Sequence, residues 1–389
     1  MQGEKQDFVA LTTLRAIGAL CVVEHHAWFY VYPAWPMSWF VPGIQLWPDY
    51  FFVLSGFILT HVYGQSLQNS TPREVWSYFV ARVARVYPLH LFVLGLLILF
   101  ELIRLWISHY TTAELHHPIF AASTALKYIP SNLLLVQAWG VHHSNSWNDP
   151  AWSVSAEFAC YLIFPLMVKF GVARNPRSAV LLVLFSCAGL LWIQVTRHTF
   201  DVTYDLGVPR AFFSFSLGCV IRQYLPELRG LVARFQPALV QLLTLAAIVA
   251  LFAWKSAKGI YFIPLWVLLI VSLTFENTWV ARGLSAGPLV KLGDISYSIY
   301  MMHILILWVF LLIRDLYPET VAPFLALPPP VILACFLGAT TAVSFVTYAY
   351  VENPGRRFVR KQFGGKRKAA APAGIPMRPA SEIQASQAQ

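Results

Sequence analysis

Arg15 and His26 stand eleven positions apart in the stretch LTTLRAIGALCVVEHH. On a helix that interval is three turns plus about 20°, so both side chains leave one face, about 16 Å apart along the axis. A guanidinium at one end can hold an anion, and an imidazole at the other can take a proton near neutral pH. The plainer alternative, an Arg snorkelling to one membrane interface and a His at the far helix end, fits the same spacing.

Arg82 and Arg85 in YFVARVARVYPLHLF lie three apart on one helical turn, just before an apolar run. They read as a positive anchor at the inner membrane face or as a phosphate clamp, for which the planar guanidinium is suited. Glu157 in NDPAWSVSAEFACYLIFPL falls about a turn and a half inside an otherwise apolar helix that begins after Pro150. A lone carboxylate there is strongly unfavourable, so it requires a cationic or hydroxyl partner, His26 and the arginines being the obvious ones. Ser55 and Gly56 in DYFFVLSGFILTHVYG read as small residues that let helices approach; no nucleophile-elbow sequence surrounds Ser55. In KLGDISYSIYMMHIL, Asp294 reads as a cap for the helix that follows, with Ser296 and Ser298 as packing residues and His303 well within the span. Glu352, Asn353 and Pro354 read as the end of the last helix.

The elements that must position these groups are membrane helices. Of 389 residues 58% are hydrophobic and only 12% charged, about half the charge that keeps an average soluble domain wet. Ten stretches are long and apolar enough to cross the ~30 Å hydrocarbon layer, at roughly 11–31, 48–64, 86–107, 151–169, 178–196, 208–224, 235–254, 260–276, 293–313 and 330–351. The apolar stretch 120–139 is broken by Pro130, Ser131 and Asn132 and reads as an interfacial or re-entrant piece. The expected fold is therefore an all-α polytopic membrane protein of about ten transmembrane helices.

With the N-terminus inside, the loops and tail place about 20 Lys and Arg on the inner side and about 6 outside, Arg210 among the latter, so both termini are expected in the cytoplasm. The net charge of +10 is thus a matter of orientation and calls for no nucleic acid partner. Residues 1–360 form the transmembrane domain, and 361–389, rich in Gly, Ala, Pro, Ser and Gln, read as a disordered basic cytoplasmic tail. The first apolar run lacks a cleavage site and reads as a retained signal anchor. Cys21, Cys160, Cys187, Cys219 and Cys335 all sit in apolar segments with no disulfide or zinc spacing, and no metal is expected.

Six of these segments occur in the order found in the membrane-bound acyltransferase 3 family, which the chain resembles from about residue 8 to 360. LTTLRAIGALCVVEHH is similar to the family's opening helix, with its Arg, ten residues and a His. DYFFVLSGFILT resembles its FFVLSGF segment, ARVARVYP its Arg-rich segment ending in Tyr-Pro, and AWSVSAEFACYLIFPL its Trp-Ser-x-Ser-x-Glu segment. LGDISYSIYMMH resembles its Ser-Tyr-Ser helix and VENPGRRF its final Glu-x-Pro-x-Arg-Arg. The chain departs from the pattern at Thr12, Thr13 and Ala16 near the first Arg, at Glu24 before the His, and at Phe158, where a second acidic residue is frequent.

The resemblance implies a multi-pass enzyme of the bacterial inner membrane. It would move an acyl group, most often acetyl from acetyl-CoA, to a sugar hydroxyl of a surface or secreted polysaccharide (exopolysaccharide) or of a lipid-linked glycan precursor. Arg15, Arg82 and Arg85 would bind the CoA phosphates, His26 would act as general base, and Glu157 would orient and support its imidazolium. Direct transfer and a covalent acyl-histidine or acyl-serine intermediate both fit. The sequence leaves the oligomeric state open. A transporter or flippase of a glycan or lipid intermediate is the alternative; it predicts an internal repeat with matched broken helices, and none is visible. A non-enzymatic receptor or scaffold leaves an Arg, a His and a Glu in the apolar core without purpose.

Overall fold

The computed structural model describes residues 8–31, 46–111, 115, 117–254 and 258–364. These contain sixteen α-helices, three short 3-10 turns, one π-helical turn and no strand. The first three helices are α1 (Val9–Val31), α2 (Trp47–Tyr63) and α3 (Pro72–Tyr110). A long connection with the short α4 (Ile129–Leu133) leads to α5 (Ala151–Lys169), α6 (Pro176–Arg197), α7 (Gly207–Gln223), α8 (Leu225–Val232), α9 (Pro237–Ala253) and α10 (Phe262–Leu273). The chain closes with α11 (Trp279–Leu284), α12 (Gly287–Asp294), α13 (Ser296–Leu316), α14 (Pro318–Leu325), α15 (Pro329–Thr347) and α16 (Asn353–Phe363).

A helix coincides with each of the ten stretches expected to span. Among the described residues five helices are long and apolar enough to cross a membrane, or six if α8 and α9, bent by 93° at their junction, are one broken span. The protein is therefore a polytopic helical membrane protein. The stretch 120–139 forms only 3-10 turns and the five-residue α4.

Helix α3 is longer than hydropathy suggested, because its polar first turns are stabilised locally. The Thr71 side chain accepts from the Glu74 N–H, and Glu74 returns a bond to the Thr71 N–H, a reciprocal capping box. Helices α2 and α7 pack backbone to backbone. A methyl carbon at Gly56 would stand 2.0 Å from the Phe215 carbonyl oxygen, and one at Gly218 would stand 1.9 Å from that of Val53, so the small residues here serve helix approach.

Two local expectations are corrected. Asp294 does not cap α13: it is the last residue of α12, and Ile295, with φ −89° and ψ 3°, stands at the cap position without a side-chain bond. An N-cap side chain needs an extended backbone to fold back on its own helix, and Asp294 is helical. The last helix does not end at Glu352 either. It passes through a π-helical turn, Tyr348–Glu352, and continues as α16 to Phe363. Widening to i→i+5 bonding absorbs Pro354, which has no N–H to give. The rest of the expected tail lies outside the described residues.

The segment 117–150 is tied to α3 at several points. Arg104 bonds the Glu101 carboxylate at 2.6 Å and donates to the His117 carbonyl. Glu101 accepts the Phe120 N–H at 2.8 Å, and the His90 ring donates to the Asn132 carbonyl at 2.7 Å. At its far end Asn148 donates to the Met301 carbonyl on α13 at 3.0 Å. The segment thus delivers Asp149 to a fixed place between α1 and α13.

Candidate active site

Two clusters meet inside the bundle. The first surrounds a cavity of about 170 Å³ whose polar lining includes Arg15 from α1, Ser55 from α2, Arg82 and Arg85 from α3, and Glu157 and Tyr161 from α5. Arg85 is ion-paired at 2.6 Å to Glu352 in the π turn, which also accepts from the Ser298 hydroxyl at 2.8 Å, and Arg356 lies 3.9 Å away. Arg82 bonds the Tyr63 hydroxyl at 3.1 Å, and its guanidinium lies over the rings of Tyr63, Tyr78 and Tyr161. Its Nε is buried without a hydrogen-bond partner. Among the described residues neither Arg15 nor Arg82 makes an ion pair with a carboxylate; Glu157 acts on Arg15 from a greater distance.

The second cluster centres on His26. Its Nδ1 lies 3.1 Å from Nε2 of His303 on α13 and 3.0 Å from the Val22 carbonyl. Its Nε2 lies 3.7 Å from the Asp149 carboxylate. The Asn145 amide donates to Asp149 at 2.5 Å. Burial alone would push the Asp149 carboxyl up; the His26 imidazole 3.7 Å away, with the Asn145 bond, outweighs it and holds the carboxyl below the ordinary range. A carboxylate, an imidazole and a second imidazole in line make a unit that can accept a proton and spread the resulting charge. His25 turns away, its ring edge-on to His26 at 5.2 Å and its Nδ1 buried without a partner.

The five residues singled out from the sequence therefore fall into two groups. Arg15, Arg82, Arg85 and Glu157 share the cavity, and His26 stands in the other cluster, where the carboxylate within ion-pair distance is Asp149. Asp149 was missed because it lies in a loop with no periodicity to mark it. His303 and Glu352 did carry a signal, an ionisable group in an apolar run. No group of three or more His, Cys, Asp or Glu that could hold a metal ion occurs among the described residues.

The site thus sets guanidinia around a cavity, with an acid-supported histidine pair beside it, on membrane helices. A family model for an acyltransferase domain, that of the acyltransferase 3 family, matches residues 8–349, and the chain belongs to that family. It is similar to the peptidoglycan O-acetyltransferase OatA of Listeria monocytogenes, 21% identical over 88% of this chain and 55% of that one. It is also similar to the O-acetyltransferase OatA of Staphylococcus aureus, 22% identical over 91% of this chain and 58% of that one. A protein from the picA locus of Rhizobium radiobacter is 28% identical over 49% of this chain and 96% of its own length. The chain spans little more than half the length of the two OatA proteins. No solved structure matches it.

Proposed function

We propose that the protein is an O-acetyltransferase of the bacterial inner membrane. It would move acetyl from cytoplasmic acetyl-CoA to a carbohydrate hydroxyl of a surface or secreted polysaccharide or its precursor, using ten spans with both termini inside. The observation that carries this reading is the cavity in which Arg15 and Arg82 present cationic groups without an ion-paired carboxylate. Guanidinia without an ion-paired carboxylate are costly inside a membrane bundle, and an incoming polyphosphate would give them anionic partners. The OatA relatives, O-acetyltransferases by name, support the acyl group and the class of acceptor. His26, backed by Asp149, would take the proton of the attacking hydroxyl, and Glu157 would hold the arginines and Tyr161 in register around the donor.

Donor recognition is tested by substitution. Arg82→Ala is expected to raise KM for acetyl-CoA roughly tenfold to a hundredfold, the worth of one or two charge-assisted bonds, and Arg85→Ala similarly. Lysine is expected to rescue either only partly, because it lacks the bidentate fork. Lysine variants with wild-type donor affinity would reduce both arginines to topological anchors.

The ten-span arrangement has its own test. Reporter fusions after residues near 70, 175, 228 and 285 are expected to read cytoplasm, and those near 145 and 202 the opposite side. A consistent inversion beyond one loop would show a miscounted span.

A further inference from the structure

The arginine cavity and the histidine cluster share one wall, built from Tyr300 on α13 and Ser153 on α5. Both side chains line the cavity. On the other side the Tyr300 ring lies 6.1 Å from that of His303. The electrostatic neighbours of Tyr300 include Asp149 in the histidine cluster and Glu157 in the cavity. The two hydroxyl oxygens are 2.7 Å apart, and each lies 3.1 Å from the Pro150 carbonyl oxygen.

Two hydroxyl protons serve the three contacts of this triangle. The Pro150 carbonyl has two lone pairs, and the Ser153 N–H already reaches it at 3.2 Å. Where one hydroxyl donates to the carbonyl, the other's proton is held only by the neighbouring hydroxyl oxygen and can turn to an oxygen placed in the cavity. Both residues are buried, where a donor aimed at a developing negative charge is worth far more than in water.

Resting on the acetyltransfer reading above, we infer that the Tyr300–Ser153 hydroxyl pair is a catalytic donor that stabilises the acyl carbonyl oxygen during transfer. The acceptor hydroxyl oxygen bonds to the acyl carbon, and its proton passes to His26. The carbonyl electrons move onto oxygen, where the hydroxyl proton turned out from the pair meets them. Collapse re-forms the carbonyl, breaks the carbon–sulfur bond and expels the CoA thiolate, which takes the proton from His26. The pair sits at the wall between the donor's phosphate site and the base, where that carbon must lie for both to act.

The test compares membranes holding equal amounts of the full chain as wild type, Tyr300→Phe, Ser153→Ala, the double variant and Ser153→Thr. Radiolabelled acetyl-CoA is the donor and the cell's own envelope polysaccharide the acceptor. Either single removal leaves one proton, drawn to Pro150, so each is expected to lower kcat about a hundredfold or more with KM for acetyl-CoA unchanged. The double variant is expected to be no slower than the slower single, because the two act as a unit. Ser153→Thr keeps a hydroxyl and is expected to keep most of the rate, which separates loss of the proton from loss of packing. Near-normal kcat in Tyr300→Phe, losses that multiply, or a Ser153→Thr as slow as Ser153→Ala would each overturn the donor role. Wild-type membranes that label no acceptor would overturn the acetyltransfer reading itself.

Discussion

His26→Ala is expected to leave the protein inserted and able to bind acetyl-CoA while lowering acetyl transfer about a hundredfold or more, the usual worth of a positioned general base. Asp149→Asn keeps the shape of the side chain and removes the charge 3.7 Å from His26 Nε2, so it is expected to lower kcat to a similar degree without weakening donor binding. His25→Ala is expected to retain most activity, since adjacent helical positions point about 100° apart and only His26 faces His303. Glu157→Gln separates the two carboxylates: placed among Arg15, Arg82 and Arg85, it is expected to shift KM for acetyl-CoA as well as kcat. Transfer measured in membranes carrying equal amounts of each variant decides the matter. An active His26→Ala, or a loss confined to His25→Ala, would show that the base is assigned to the wrong ring.

How much of this site could be read beforehand follows from what a helix does to spacing. Arg15 and His26 share α1, so an interval of eleven residues sufficed to set them at different depths. Arg82 and Arg85 share a turn of α3 and line one cavity, as an i, i+3 pair should. Groups that reach the site across the bundle were not legible in the same way. Asp149 comes from a loop whose path is fixed by contacts of His90, Glu101 and Arg104 on α3, and the loop itself carries no periodic trace. His303 was visible as an ionisable group in an apolar run, yet its partner is on α1, 277 positions away. Arg210 was misread more seriously. At the edge of an apolar segment it looks like an outer-loop charge, but it lies within α7, fully buried. Hydropathy averages over a window and cannot tell a flanking charge from one whose counter-ion sits in another helix.

That counter-ion is Asp49, and the pair makes the second large prediction. Arg210 donates from Nη2 to Asp49 at 2.6 Å and from Nε to both carboxylate oxygens at 3.2 Å; Ser214 adds a bond at 3.0 Å. The guanidinium also donates to the Val202 carbonyl and lies over the rings of Trp152 and Phe200. It thereby joins α2 and α7 to the start of α5, the helix that carries Ser153 and Glu157. Arg210→Ala strands a buried carboxylate that keeps, among the described residues, the Ser214 hydroxyl, and removing one partner of such a pair costs about 3–5 kcal/mol. The expected result is a protein that inserts in reduced amount and melts at clearly lower temperature in detergent. Replacing both partners with apolar residues of similar size, Asp49→Leu with Arg210→Met, leaves no uncompensated charge and is expected to recover most of that stability. Thermal unfolding of purified single and double variants, followed by loss of the monodisperse peak on gel filtration, measures the difference. A double variant no more stable than Arg210→Ala would mean that the cost lies in the lost contacts to Trp152, Phe200 and Val202, and not in the stranded charge.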